Sequence, residues 1–328
     1  MESSIVPRIT SVVALSGVAV LAVGLLGGCA SDSQAADDAA PAETITIETN
    51  TGAVEVPVNP ERVAVLDNTA FQTLLSWGIE PVAVPKPLLP RSGFDAWSDD
   101  EEIFDAGSHR EPNLEAVSEA EPELIIGGLR FQDFTDELSS IATVIDIAPS
   151  DESKDGYVAG LRAQTEILGQ IFDREDEAAE LIAELDEAAE GAAELTNGET
   201  VFLANSSGGR IDNGAGRLSR ILDEIDLVDA FAKQDLDADS VHADSGLAPE
   251  TVAAANPDWM IVMDRDAIAA EGEYTPAKQV VEAQEAWKST TFMTDDQVIY
   301  LEPDFYVTEG IQAYTTVYQQ IVAAFNGR

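Results

Sequence analysis

The chain has 328 residues, enough for one large domain or two lobes of ordinary size, and 45% of them are hydrophobic, which excludes global disorder. Lys and Arg number 17 against 62 Asp and Glu, and the resulting net charge of −45 argues against nucleic acid or anionic lipid as partners, since both need clustered cations. One cysteine and two histidines, His109 and His242, exclude an intrachain disulfide scaffold and any Cys-rich zinc or iron–sulfur site.

The first element in chain order is a leader. Glu2 and Arg8 lie in a short polar start, residues 12–26 are uncharged and mostly apolar, and Leu26-Gly27-Gly28-Cys29 closes the run. That length suits a signal h-region better than a spanning helix, which needs about 20 apolar residues. Read generously, residues 9–28 could just span as an uncleaved anchor. The only cysteine stands where small residues end the run, and residues 1–28 look like a bacterial lipoprotein signal. The resemblance implies lipidation of Cys29 as the new N-terminus. Residues 29–43, rich in Ala, Ser, Asp and Pro without periodicity, read as a flexible tether.

Two alternating runs, 44–48 and 54–57, flank Asn50-Thr51-Gly52 and predict a β-hairpin. Arg62-Val-Ala-Val-Leu-Asp67 reads as a buried strand, Phe71–Trp77 as a helix stopped by Gly78, and residues 81–84 as a second strand: a parallel α/β unit. An internal repeat follows. Residues 114–127 and 249–262 each read as a short helix, an X-Pro-acid break and an apolar strand, because proline cannot continue the helix. Three residues past each strand stands an arginine, Arg130 and Arg265, 135 residues apart. A second pair of segments, 62–77 and 200–225, repeats strand, loop and helix. Between the repeats runs the longest helical stretch, with Tyr157, Leu161, Thr165, Leu168 and Phe172 on one face, a break at Asp173-Arg174, and more helix over 175–195. The expected fold is therefore α/β, with two similar Rossmann-like lobes and a ligand cleft between them. The N-terminal lobe is assigned 44–152, the inter-lobe helix 153–173 and the C-terminal lobe 174–328.

Ligands of open α/β sheets bind beyond the carboxyl ends of the strands. That nominates Asp67, Asn68, Arg130, Arg265 and Tyr306, together with Arg217 on the Gly214-Ala-Gly-Arg217 turn. Three cations converging in a partly desolvated cleft need a strongly anionic partner, because otherwise they repel one another. Arginine stays charged, donates in a planar fork and stacks on flat rings. Each nominee also has a plain structural reading. Arg265 is flanked by Asp264 and Asp266 and could pair with them; Asn68 could cap the following helix. Arg217 lies in a helix's first turn, an unfavourable end for a cation, and Arg220, one turn on, is expected to face solvent.

From residue 44 to 325 the sequence resembles the class III, helical-backbone substrate-binding proteins of ATP-driven iron-siderophore importers. The resemblance rests on Arg62-Val-Ala-Val-Leu-Asp67, Glu111-Pro-Asn-Leu114, Pro122-Glu-Leu-Ile-Ile126 and Asn256-Pro-Asp-Trp-Met-Ile-Val262. Within that class it looks most like receptors for ferric catecholates of the enterobactin and petrobactin type, through Ala83-Val-Pro-Lys86, Leu89-Pro90, Gly216-Arg217-Leu-Ser-Arg-Ile-Leu-Asp223, Met263-Asp-Arg265-Asp266 and Ile299-Tyr-Leu-Glu-Pro303. The family pattern puts Arg130, Arg217 and Arg265 around a trianionic iron(III) catecholate and an aromatic at Tyr306. It puts an iron-coordinating histidine near His242, one residue out of alignment, and Lys86 at the rim. It also implies permease docking through one acid per lobe: Glu111 on the first, Asp223 or Glu224 on the second.

No nucleophile elbow, phosphate loop or dinucleotide fingerprint is present, and Gly127-Gly128 and Gly208-Gly209 read as loop glycines. The expected protein is a monomeric, lipid-anchored extracytoplasmic receptor. It captures a ferric siderophore, needs no cofactor beyond the iron(III) its ligand carries, and serves an ABC permease with a cytoplasmic ATPase. The alternatives are the same fold binding a hydroxamate siderophore, haem or a corrinoid; a direct metal-ion receptor using carboxylates; and a two-lobed α/β enzyme.

Overall fold

The computed structural model describes residues 43–151, 153, 155–232, 247–270 and 272–327. Cys29 and His242 lie outside these residues. The described residues belong to one compact unit, Ala42–Arg328.

The chain opens with the expected antiparallel hairpin, β1 (Thr44–Thr49) and β2 (Gly52–Pro57). Five strands then form a wholly parallel sheet: β3 (Val63–Val65), β4 (Ala83–Val84), β5 (Phe104–Asp105), and, after the small β6 (Gly107–Ser108) and β7 (Glu111–Pro112) ribbon, β8 (Leu124–Gly127) and β9 (Thr143–Asp146). Their spatial order is β5-β4-β3-β8-β9. Val63, Val65, Leu124 and Ile126 are fully enclosed, as expected for parallel strands covered on both faces. Asn50, at the hairpin tip, bonds the backbone and side chain of Asp146 at the end of β9 and so docks the hairpin on this sheet.

The second sheet contains β10 (Glu199–Ser207), β11 (Arg210–Asn213), β12 (Leu227–Asp229), β13 (Trp259–Asp264) and β14 (Val298–Tyr300). Its order is β11-β10-β13-β14, with β12 also on β10. All pairs are parallel except β10 with β11, which fold back as a hairpin. The internal repeat is real in local structure. Helices Leu114–Glu119 and Pro249–Ala255 lead into β8 and β13. Glu121 and Asn256 each sit at positive φ directly before the proline, so the helix ends on a left-handed residue and the ring then blocks its continuation. The other expected echo holds only in part. A helix over 218–225 is replaced by one α-turn, Ala215–Leu218, and a 3-10 segment, Ser219–Glu224. The Ile221 carbonyl there accepts from the Tyr318 hydroxyl at 3.1 Å, which ties the segment to the C-terminal helix.

The helix Tyr157–Phe172 belongs to both cores. Its first turns place Tyr157, Val158 and Leu161 in the cluster under the second sheet. Its last turns place Leu168, Ile171 and Phe172 in the cluster under the first. Each such fully buried apolar side chain contributes about 1.5–3 kcal/mol, so this helix is a stiff strut rather than a loose connector. It stops at Asp173, whose left-handed backbone fulfils the expected break, and helix Glu175–Leu195 follows. The C-terminal helix Ile311–Asn326 packs on Glu175–Leu195 and against the second core. Gly310, just before it, lies against the first-sheet segment: a Cβ there would fall 2.3 Å from the Thr69 carbonyl oxygen. Only glycine permits that approach.

Candidate functional site

The nominated arginines arrive by three different routes. Arg130 follows β8 in the 3-10 segment Leu129–Phe134, entered through Gly128 at φ 93°. Arg265 follows β13 directly, and Arg217 lies in the turn Ala215–Leu218 after the β10–β11 hairpin. Tyr306 sits in the short helix Phe305–Thr308 after β14. All converge on one ring. The guanidinium carbons of Arg130, Arg217 and Arg265 stand 5.6, 5.0 and 5.6 Å from the Tyr306 ring centroid. Each such contact is worth about 0.5–2 kcal/mol, which offsets part of the repulsion among like charges. Tyr306 itself is 7% exposed.

The guanidiniums are held by hydrogen bonds as well as by the ring. Arg130 Nε donates to Asn68 Oδ1 at 3.0 Å and Nη2 to the Tyr306 carbonyl at 3.2 Å. Arg265 Nε donates to the Tyr306 hydroxyl at 3.4 Å and Nη1 to Ser207 Oγ at 3.1 Å. The flanking acids do not pair with Arg265. Asp264 accepts from the Ala277 N–H, and Asp266 accepts from the N–H groups of Gly208 and Gly209, both at 3.0 Å. Among the described residues Arg265 has no carboxylate partner within ion-pair distance.

Two charged residues complete the cluster that sequence reasoning did not place there. The Glu309 side chain is 1% exposed; it accepts a hydrogen bond from Arg217, accepts another from Arg220 at 3.1 Å, and lies 3.7 Å from Arg130. Arg220, expected to face solvent, is instead 14% exposed, paired with Asp151 and Glu309, and stacked 4.2 Å from the Tyr157 ring centroid. The expectation fails because residues 219–224 wind as a 3-10 helix, which turns Arg220 inward. Burial and the Glu309 charge act on Arg217 in opposite senses, and the net effect raises its pKa. The helix-dipole penalty on Arg217 also falls away, since its helix has only four residues. Beside this cluster, Arg220, Asp151, Leu129 and Gln132 help line a cavity of about 680 Å³.

Asn68 is buried and does not cap. Asp67 holds that position, its Oδ1 accepting from the Thr69 N–H at 3.0 Å, which leaves Asn68 to donate to the Val307 carbonyl at 2.6 Å while accepting from Arg130. Lys86 stands apart from the arginines. Its ammonium donates to the Ser98 and Asp100 carbonyls at 3.2 and 2.6 Å. Of the three acids nominated for docking, Glu224 pairs with Arg162 at 2.8 Å and Asp223 accepts from the Tyr157 N–H. Glu111 is exposed on β7, with its side chain uncommitted among the described residues.

His109, at the tip of the β6–β7 ribbon, also belongs to this neighbourhood. Burial lowers its pKa, and the charges of Arg130, Arg110 and Arg217 lower it further. Its Nδ1 is buried and finds no partner among the described residues. Nothing in the spacing of the sequence links His109 to the arginines. Glu309, three residues past Tyr306, was equally hidden in a chain with 62 acids.

The cation cluster lies past the carboxyl ends of strands from both sheets, where ligands of open α/β sheets bind. Residues 63–305 match the periplasmic binding protein family, and the chain belongs to that family. It is 29% identical over 291 residues to the petrobactin-binding protein YclQ of Bacillus subtilis, covering 87% of this chain and 88% of that one. The crystal structure of YclQ matches with a TM-score of 0.73, at 26% identity over 86% of this chain and 99% of the other. The periplasmic catecholate-siderophore binding protein VctP of Vibrio cholerae matches with a TM-score of 0.74, at 29% identity, over 87% of this chain and 100% of the other. A shorter match, 33% identical over 132 residues, is to the probable siderophore-binding lipoprotein YfiY of Bacillus subtilis, covering 39% of this chain and 41% of that one. These relatives are binding proteins, and this chain is one, not an enzyme.

Proposed function

We propose that the chain is the extracytoplasmic receptor of an ABC importer and captures a ferric siderophore of the catecholate class for delivery to the permease. The observation that carries the reading is the convergence of Arg130, Arg217 and Arg265 on Tyr306 with one buried carboxylate among them. An iron(III) tris-catecholate presents negative oxygens to the N–H forks and flat rings to the guanidinium planes. The names of YclQ and VctP support the same ligand class. Iron is cargo here, carried within its chelator, and the protein needs no cofactor of its own.

The receptor is a monomer tethered to the outer face of the cell membrane through lipid on Cys29, after removal of residues 1–28. The lipoprotein name of YfiY supports this. No helix among the described residues is long and apolar enough to cross a membrane. Glu111 is the docking acid with a free side chain on the first-sheet side. His242 remains the proposed direct iron contact for chelators that leave coordination sites open, and Asn68 acts on the ligand through Arg130.

Native mass spectrometry of the purified protein against a panel of iron chelates tests the reading. A stoichiometric complex with a ferric catecholate is expected. Retention of only a hydroxamate, haem, a corrinoid or free metal ions would sink it. Lipidation is checked separately, since Cys29→Ser should release the protein from membranes.

A further inference from the structure

An acid at the centre of an anion-binding cluster calls for an explanation. Glu309 lies behind the guanidiniums and out of solvent, yet its two oxygens serve arginines on both sides: Oε2 faces Arg217 and Arg130, and Oε1 accepts from Arg220. Its backbone is also unusual. Glu309 terminates the helix Phe305–Thr308 in the left-handed conformation at φ 45°, where glycine is the ordinary choice and other residues are disfavoured. Gly310 is the very next residue, but the left-handed position itself holds a glutamate. The side chain must therefore repay a local backbone cost. The Tyr157 hydroxyl fixes the Glu309 carbonyl at 3.1 Å, which locks the position from a third side.

Four guanidiniums, of Arg130, Arg217, Arg220 and Arg265, stand against the carboxylates of Glu309 and Asp151, so the cluster carries a net charge of +2. Resting on the siderophore reading, we propose that Glu309 is the charge-setting residue of the site: it positions the arginines and subtracts one unit from their field, and so determines which ligand charge is preferred among chelates of one shape. It touches the arginines, not the ligand, and is a positioning residue. In a site of low effective permittivity one elementary charge acts on every unit of ligand charge. Removing it therefore favours the more anionic chelate selectively.

The test uses one tris-catecholate ligand loaded with metals of different valence. Iron(III) or gallium(III) gives a trianion, and germanium(IV) or titanium(IV) a dianion of nearly the same shape. Dissociation constants for both are measured by titration on the wild type, Glu309→Gln and Arg220→Gln. The ratio of trianion to dianion affinity is expected to rise on the order of tenfold in Glu309→Gln. It should fall by a similar factor in Arg220→Gln, which removes a positive charge from the other side of the same carboxylate and serves if the first variant fails to fold. A purely structural role would weaken both complexes equally. An unchanged ratio in both folded variants, with wild-type binding intact, overturns this proposal alone. A wild type that binds neither complex overturns the siderophore reading, and this inference with it.

Discussion

Asp67→Asn probes how the cluster is held from below. Asp67 is fully enclosed at the end of β3; its carboxylate accepts from the Thr69 N–H at 3.0 Å, the Thr69 hydroxyl at 2.8 Å and Gln164 Nε2 at 2.8 Å. Burial pushes its pKa from 3.8 to about 6, with the Asp146 charge adding to the rise and the Thr69 and Gln164 hydrogen bonds opposing it. A carboxyl whose folded pKa lies above its unfolded one supports stability fully below the unfolded value. That support is lost as pH rises through the folded value. The gap between 3.8 and about 6, at about 1.4 kcal/mol per pH unit, amounts to about 3 kcal/mol withdrawn between pH 4 and pH 7. Asparagine cannot titrate, yet it keeps an oxygen for the Thr69 N–H. Urea denaturation of both proteins across that range should show wild type losing about 3 kcal/mol relative to the variant as pH rises. Other raised carboxyls, including Asp223, Asp229, Asp264 and Asp304, titrate in both proteins and cancel in the difference. A stability difference that stays constant with pH refutes the reasoning.

The remaining predictions concern the cleft and its approach. Alanine at Arg130, Arg217 or Arg265 should each weaken ferric tris-catecholate binding by about 1–3 kcal/mol in calorimetric titration. Arg265→Ala should leave the urea midpoint unchanged, while Arg217→Ala lowers it by depriving Glu309 of a partner; three variants that bind like wild type would remove the arginines from the site. Gly310→Ala forces a methyl against the Thr69 carbonyl and should cost about 1–3 kcal/mol of stability, visible as a lowered melting temperature. The acidic surface repels an anionic chelate over distances that salt screens beyond about 8 Å, so added salt should raise the stopped-flow association rate. A falling rate would show that the field of the cleft dominates.

The fold was legible where the code is local. Proline after Glu121 and Asn256 marked both helix-to-strand breaks, and the apolar runs of β3, β8 and β13 could be nothing but buried strands. The left-handed stop at Asp173 was visible as a break in helical spacing. The three arginines were legible because each follows a strand or turn that points its successor at the cleft. Arg220 and Glu309 were not, since their places depend on tertiary contacts. Arg220 was read with the period of an α-helix where the chain winds as 3-10, and Glu309 is selected by three arginines distant in sequence. Asn68 was nominated for the site with helix capping as its plain reading; Asp67 takes the capping bond, and Asn68 is left to bond Arg130. Lys86 matched the family pattern, but two carbonyls of the 98–100 loop compete for its ammonium.

The cluster is also the joint between the two sheets. Arg130 and Asn68 come from the first-sheet side, whereas Tyr306, Val307 and Glu309 come from the second; the Arg130–Tyr306, Arg130–Glu309 and Asn68–Val307 contacts all cross between them. Farther out, Arg91 makes the same crossing, donating to the Ile268 and Ala270 carbonyls at 2.9 and 2.6 Å. An anion entering beside Tyr306 competes for the N–H groups that now join the two sides. On the proposed reading, capture would exchange sheet-to-sheet contacts for sheet-to-ligand contacts at the same guanidiniums, without first exposing an uncompensated cluster to water. Since the helix Tyr157–Phe172 is packed into both cores, the exchange is expected to proceed through a small rotation about the Asn68–Val307 contact rather than a wide opening. On that reading binding and closure are coupled through Arg130, whose N–H groups already serve Asn68 and Tyr306 before the ligand arrives.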